Sequence, residues 1–322
     1  MPLLSFLERR LVGLLVPLMV LTASGCGSEA DRPVVDFTKT LCHTRPGEAP
    51  PPQPALRGAV AAMISPKETF DLYRQLFEYV SQRMGKNLEF VQRRTYGELS
   101  ALLGRGEIDV ALICSGPYAL GREKFGFEPL AVPLVKGSHC YYSYLIVHQE
   151  SPITRLDDLR GHSFAFTDPD SNTGKLVPTY WLAELRERPE TFFKNTIFTY
   201  SHDNAIMAVS RGLVDGAAVE SLVYDYYKVK NPEFTARTKI IRTSEPYGLP
   251  PLVASGHLPP QDKERLRKVL LTMHEDPAGK KILEGLIIDR FVPLQEEWYE
   301  PIRRLHRRLL QEQFLMGQTA HP

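Results

Sequence analysis

An excess of charge of either sign is missing from this chain. Over 322 residues, 39 Lys and Arg stand against 38 Asp and Glu, a net charge of +1. That balance argues against broad electrostatic attachment to nucleic acid or to an anionic membrane, so any anion has to be recognised locally. A Gly-x-Ser-x-Gly elbow is missing too. Ser171, His202 and Asp168 could be combined into a hydrolytic triad on paper, yet Ser171 has no nucleophile turn and reads as a helix cap. His139, His148, His162 and His202 show no H-x-x-x-H spacing, so neither a metal nor a cofactor is called for, and the chain is not read as an enzyme. The longest leading apolar run, 11–21, is too short to span a bilayer comfortably. Cysteine is scarce, with Cys26, Cys42, Cys114 and Cys140 the full set.

What is present begins with a leader. Arg9 and Arg10 precede the apolar run, and Ala23-Ser24-Gly25-Cys26 closes it with small residues. Residues 1–26 therefore resemble a bacterial lipoprotein signal, with Cys26 as the lipidated residue. A plain secretory leader with an incidental cysteine is the alternative, and either one exports the mature chain. Export allows disulfides. Cys114 ends one expected strand and Cys140 starts another, so a Cys114–Cys140 bridge and two buried free thiols are both open. Residues 27–55, ending in Pro50-Pro-Pro-Gln-Pro54, read as a tether without a core.

From residue 56 the pattern is β-α-β-α-β, which predicts a parallel sheet. Ser65, Tyr96 and Tyr118 each follow a strand, on the side where open α/β sheets bind ligands. The run 141–148 is rich in β-formers and reads as a crossover between lobes. A helix–Gly-x-x-Asp–strand unit occurs at Gly106–Asp109 and again at Gly212–Asp215, which points to two similar lobes. Near the end, Arg303, Arg304, Arg307 and Arg308 read as the solvated face of a closing helix.

The central stretch is Ser163 to Tyr180. Phe164-Ala-Phe166 predicts a buried strand, Asp168-Pro169 a turn, and Ser171, Asn172 and Thr173 a helix start. A strand, a polar turn and a helix N-terminus together make an anion cradle: free amides point outward and the macrodipole adds about half a positive charge. The Ser171 and Thr173 hydroxyls would add neutral donors, and Gly174 would leave room for close approach. Among the motif residues Lys175 is the one cation. An ordinary capped helix is the plainer reading of these few residues taken alone.

Taken with Met63-Ile-Ser-Pro66, Tyr96, the two Gly-x-x-Asp units, Pro178 and Ser201-His202-Asp203, this stretch resembles the phosphonate/phosphite/phosphate-binding proteins of ABC transporters, from about residue 56 to about 260. The resemblance implies an α/β, two-lobed periplasmic binding fold of type II, each lobe a mostly parallel sheet flanked by helices. The implied division is 56–148 for the first part of lobe 1, 149–246 for lobe 2, and 247–322 for the return to lobe 1 and the C-terminal helices. Two crossing segments would form the hinge and a cleft would hold the ligand. It implies that Ser171, Asn172, Thr173 and Gly174 cradle a small oxyanion. His202 would hydrogen-bond it, Tyr96 and less directly Tyr118 would line the opposite lobe with Ser65, and Glu220 would stand where the family often has an aspartate. The partners implied are the oxyanion and an inner-membrane permease, for a monomeric lipoprotein of the periplasm or cell envelope that binds no nucleic acid. A sensory binding protein for another small anion is the main alternative, and a serine hydrolase a remote one.

Overall fold

The computed structural model describes residues 54–319, with the side chains of 66–72 and 313–319 outside the description. The expected leader, lipidated Cys26, Cys42 and nearly all of the tether lie outside the described residues. Those described belong to one unit, Pro52–Pro322.

In chain order the elements are β1 (Ala55–Val60), α1 (Pro66–Met84), β2 (Asn87–Gln92), α2 (Tyr96–Gly104), β3 (Val110–Leu112), α3 (Ser115–Phe125), β4 (Glu128–Leu134), β5 (Cys140–Tyr141) and β6 (Ser143–His148). Then come β7 (Ser163–Phe166), α4 (Val177–Glu184), α5 (Pro189–Phe192), β8 (Asn195–Phe198), α6 (His202–Ser210), β9 (Gly216–Glu220), α7 (Ser221–Lys230), α8 (Pro232–Thr235) and β10 (Thr238–Thr243). The chain returns through β11 (Tyr247–Gly248), β12 (Leu252–Ala254), α9 (Pro260–Leu271), α10 (Pro277–Gly285), β13 (Arg290–Val292) and α11 (Glu300–Thr319).

Two sheets result, ordered β13-β4-β12-β3-β1-β2 and β10-β6-β9-β7-β8. Both are mixed rather than mostly parallel. β2-β1-β3 and β8-β7-β9 are the parallel halves, whereas β12, β4, β13, β6 and β10 join antiparallel. β6 and β12, which enter a sheet from the other lobe without a crossover helix, run against it, whereas β4 and β10 pair antiparallel because their neighbours are reversed and themselves keep the direction of the parallel halves. The crossover that ends 56–148 runs into the five-stranded sheet, where Leu145, Ile146 and Val147 are fully buried between β9 and β10.

The crossing segments pair as the two-stranded ladder β5–β11, with Tyr247 opposite Tyr141 and Gly248 opposite Cys140. Cys114 and Cys140 are both free thiols, so the bridge is not formed. Each Gly-x-x-Asp unit does the same work in its own sheet. Asp109 accepts the Arg57 amide at 2.8 Å at the flank of β1, and Asp215 accepts the Ser163 amide at 2.8 Å at the start of β7. Helix α3 was not read from the sequence, because Gly116, Pro117 and Gly121 depress helix propensity. Pro117 falls in the first turn, where no amide is needed. The arginines of α11 meet carboxylates: Arg303 bonds Glu296, Arg304 bonds Glu245 and Arg307 bonds Glu300.

Candidate functional site

The turn 171–176 is wider than an ordinary helix start. The Leu176 amide reaches back to the Ser171 carbonyl at 2.9 Å, and Val177 reaches Asn172. Pro178 accounts for the widening, since it has no N–H to give Gly174. The Gly174 carbonyl instead accepts the Thr167 amide at 3.3 Å, which ties the turn to the end of β7. The Ser171 hydroxyl accepts the Gly174 amide at 3.0 Å and so serves as the cap. Gly174 leaves room for Thr167 rather than for a ligand: a Cβ there would stand 1.8 Å from Thr167 Oγ1. Lys175 turns away and places its Nζ 3.8 Å from the centre of the Phe166 ring.

Asn172 and Thr173 face inward and are fully buried. Asn172 Nδ2 donates to the Tyr141 hydroxyl at 3.1 Å, and the Thr173 carbonyl accepts from the Ser143 hydroxyl at 2.7 Å. Ser143 pairs with Glu220 across β6 and β9. His202 Nδ1 accepts the Glu220 amide at 3.0 Å, which fixes the proton of the neutral ring on Nε2. That nitrogen lies 3.7 Å from Glu220 Oε2, beyond hydrogen-bond reach. Burial alone holds His202 neutral, with its pKa pushed down to about 3, and pushes the Glu220 carboxyl up to about 8. Tyr96 is buried as well, and burial lifts its hydroxyl pKa first, with Cys114, Asp168, Glu220 and Tyr141 as charged or polar neighbours.

Buried polar atoms without a hydrogen-bond partner are rare in folded proteins, and each calls for an explanation. Here they concentrate: Tyr96 Oη, Thr167 Oγ1, Asn172 Oδ1, Thr173 Oγ1, His202 Nε2 and Glu220 Oε2 all belong to this region. Helix α2 begins at Tyr96, whose amide meets Asp168; α3 begins at Ser115, and Gly116 lies against Asp170 and Asn172; α6 begins at His202, whose ring meets Glu220, the residue before α7. The positive ends of several helix dipoles therefore meet where no Lys or Arg side chain is part of the cluster. Such a place suits a compact anion held by neutral N–H and O–H donors. Among the described residues no group of three or more His, Cys, Asp or Glu is arranged to hold a metal ion.

The paper triad is not assembled. Asp168 Oδ2 accepts the Tyr96 amide at 3.1 Å and Oδ1 the Asp170 amide at 2.8 Å, while Ser171 caps its own turn. Tyr118 is not brought to the site either. It lies in the second turn of α3, stacks edge-on against Tyr299 with ring centres 4.6 Å apart, and donates to Glu296. Ser65 contributes through its backbone, its amide donating to Asp203 Oδ1 at 2.9 Å. Tyr141, Ser143 and Cys114 are the neighbours that the sequence reading missed. Tyr141 sits on the hinge strand among four tyrosines and serines in a row, and no local signal says which of them faces the cleft. Cys114 precedes α3, is buried, and its thiol pKa is pushed up to about 12 chiefly by burial.

The two lobes are closed on each other by carboxylates of the second lobe that receive amides of the first. Asp168 takes Tyr96 N at the start of α2, and Asp203 takes Ser65 N before α1 and the Tyr227 hydroxyl at 3.0 Å. His202 N donates to Met63 O at 2.9 Å beside them. A hydrogen bond to a charged group contributes about 1.5–3 kcal/mol. Asp168→Ala is therefore expected to weaken ligand binding about tenfold, by favouring the open form, in titration calorimetry.

Comparison with known proteins agrees with this geometry. Residues 59–299 match the family model described as ABC transporter, phosphonate, periplasmic substrate-binding protein. The phosphonates-binding periplasmic protein of Escherichia coli K12 is 30% identical over 173 residues, 52% of this chain and 51% of that protein. The chain spans about half the length of the curated relatives it matches. Among solved structures, a binding protein component of an ABC phosphonate transporter from Pseudomonas aeruginosa superposes with a TM-score of 0.78 at 23% identity, covering 82% of this chain and 89% of that one. PhnD1 from Prochlorococcus marinus in complex with methylphosphonate gives 0.70 at 19% identity, covering 80% and 99%. The architecture is thus the two-lobed, type II periplasmic binding fold. With a binding-protein model matched across both sheets and the hinge, the chain belongs to the periplasmic substrate-binding proteins of phosphonate ABC transporters.

Proposed function

We propose that this protein captures a small phosphorus oxyanion in the cleft between its lobes and presents it to an inner-membrane ABC permease. The observation that carries this reading is the gathering of six buried, unpartnered polar atoms where several helices begin. Thr173 Oγ1, Tyr96 Oη and His202 Nε2 would donate to the oxyanion, alongside the Thr173 amide. Glu220 would take a hydrogen bond from a P–OH group or, when protonated, give one. Methylphosphonate in the Prochlorococcus structure and the phosphonate named for the Escherichia coli relative support this ligand class. The proposed setting is a monomer divided into lobes at the β5–β11 hinge, anchored to the membrane through Cys26.

Thr173→Ala tests the reading directly. It removes an inward hydroxyl with no other partner, so binding of methylphosphonate or phosphate should weaken about tenfold while the unliganded melting temperature stays within 2 °C, roughly the effect of 1 kcal/mol or less. Unchanged affinity for every phosphorus oxyanion that the wild type binds would remove Thr173 from the site. Ser171→Ala should cost both stability and affinity, because its hydroxyl supports the turn.

A further inference from the structure

The lobes meet through more than hydrogen bonds. Arg94 lies in the connection between β2 and α2, and Tyr200 in the connection between β8 and α6. The Arg94 guanidinium carbon stands 4.1 Å from the centre of the Tyr200 ring. β2 belongs to the six-stranded sheet and β8 to the five-stranded one, so this stack joins one lobe to the other. Lobe–lobe hydrogen bonds follow both residues in sequence. Two positions after Arg94, the Tyr96 amide meets Asp168; two positions after Tyr200, the His202 amide meets the Met63 carbonyl. Arg93, by contrast, turns back to the Gln92 carbonyl of its own lobe at 2.7 Å. Arg94 is exposed and Tyr200 half-buried, and neither is among the buried, unpartnered polar groups of the cradle.

The backbone of Tyr200 is left-handed, with φ at +58°. Glycine and asparagine adopt that conformation readily, whereas a bulky aromatic residue does so at a cost. The surrounding chain holds it there: the Tyr200 amide donates to the Thr167 carbonyl at 2.7 Å, the Thr199 amide to the Phe166 carbonyl at 3.0 Å, and Ser201 caps α6. Strain of this kind gathers at clamps and switch regions. Building on the oxyanion reading above, we propose that Arg94 and Tyr200 form a latch outside the ligand site, a cation–π pair made only when the lobes are closed, which sets how tightly an oxyanion is held without setting which one. A contact present only in the closed form shifts the equilibrium towards that form, and the affinity for every ligand that needs closure rises by the same factor. For a guanidinium over a partly exposed ring that factor is about five.

A double-mutant cycle decides the matter, read by titration calorimetry and stopped-flow dissociation with phosphate, methylphosphonate and 2-aminoethylphosphonate. Arg94→Gln and Tyr200→Asn should each weaken the binding of every probe that the wild type holds, by about fivefold. The loss should appear in the dissociation rate, and the ratios among the probes should stay within twofold. Asparagine keeps the left-handed backbone, so the loss at 200 belongs to the ring. The double variant should bind no more weakly than either single one, because the two residues make one contact. Arg94→Lys and Tyr200→Phe, which keep the charge and the ring face, should stay within twofold of wild type. Arg94 is exposed, so its two variants test the latch even where a change at 200 fails to fold. Additive losses in the double variant, or wild-type affinity in Arg94→Gln, would overturn the latch while leaving the oxyanion reading intact. A changed preference among the probes would overturn it as well, by placing one of the two side chains against the ligand. Failure of wild-type protein to bind any of the three would overturn the oxyanion reading itself, and the latch with it.

Discussion

Gly174→Ala is expected to abolish measurable oxyanion binding, a loss of 100-fold or more, and to lower the melting temperature by several degrees. The new methyl would lie 1.8 Å from Thr167 Oγ1 and 2.8 Å from its Cβ and Cγ2, all closer than real Cβ contacts allow. Thr167 cannot swing aside. It is β-branched, fully buried, and its amide is bonded to the Gly174 carbonyl. The turn would have to lift off the end of β7, and Asn172 and Thr173 would move with it. Overpacking of this kind costs about 1–3 kcal/mol and sometimes more, yet the effect on binding should exceed the effect on stability, because donors in the cradle are useful only at fixed positions. Calorimetry and thermal melts on the single variant, and on Gly174→Ala combined with Thr167→Gly, check the cause. The double variant should recover much of the melting temperature. Wild-type affinity in the single variant would show that the turn does not hold the ligand.

The second large effect concerns pH. Burial pushes the Glu220 carboxyl from an ordinary 4.5 up to about 8, so the closed, unliganded protein favours its neutral form. A raised carboxyl pKa contributes stability that is fully present below about pH 4.5 and is lost as pH rises through about 8. At about 1.4 kcal/mol per unit the span is a few kcal/mol. Wild-type protein should therefore lose melting temperature between pH 4.5 and 8 relative to Glu220→Gln, which has the same shape and no charge to desolvate. His202 works in the opposite direction in both proteins. Its pKa is lowered from 6.5 to about 3, so its contribution is present above 6.5 and is lost as pH falls towards 3. Binding follows the same logic. An ionised Glu220 repels a dianion, so wild-type affinity for phosphate should fall as pH rises towards 8 and beyond, whereas Glu220→Gln should keep its affinity and shift preference towards more highly charged oxyanions. Parallel melting and binding curves for the two proteins from pH 5 to 9 would mean that Glu220 does not sense the bound anion.

How far the chain could be read in advance depended on the distance over which each property is set. The helix start at Ser171, the strand Ser163–Phe166 and the two Gly-x-x-Asp turns depend on residues only a few positions apart, so cap chemistry and periodicity reveal them. The same local logic placed Asn172 and Thr173 at the head of a helix, and therefore at a natural anion site. It misassigned Tyr118, because a position after a strand does not say which way a side chain on α3 turns, and Glu296, which takes its hydroxyl, lies 178 residues away. It missed Tyr141, whose direction is set by the hinge ladder with β11.

By itself the sequence determined that neutral donors, not lysines, stand at the head of the 171–176 turn, since caps and hydroxyls need only their own turn. The tertiary structure alone decided how those donors are charged and counted. Desolvation is a property of everything packed around a group. His202 is neutral, Glu220 holds its proton and Asp168 receives an amide from 72 residues away because closing the two lobes removes water from all three at once.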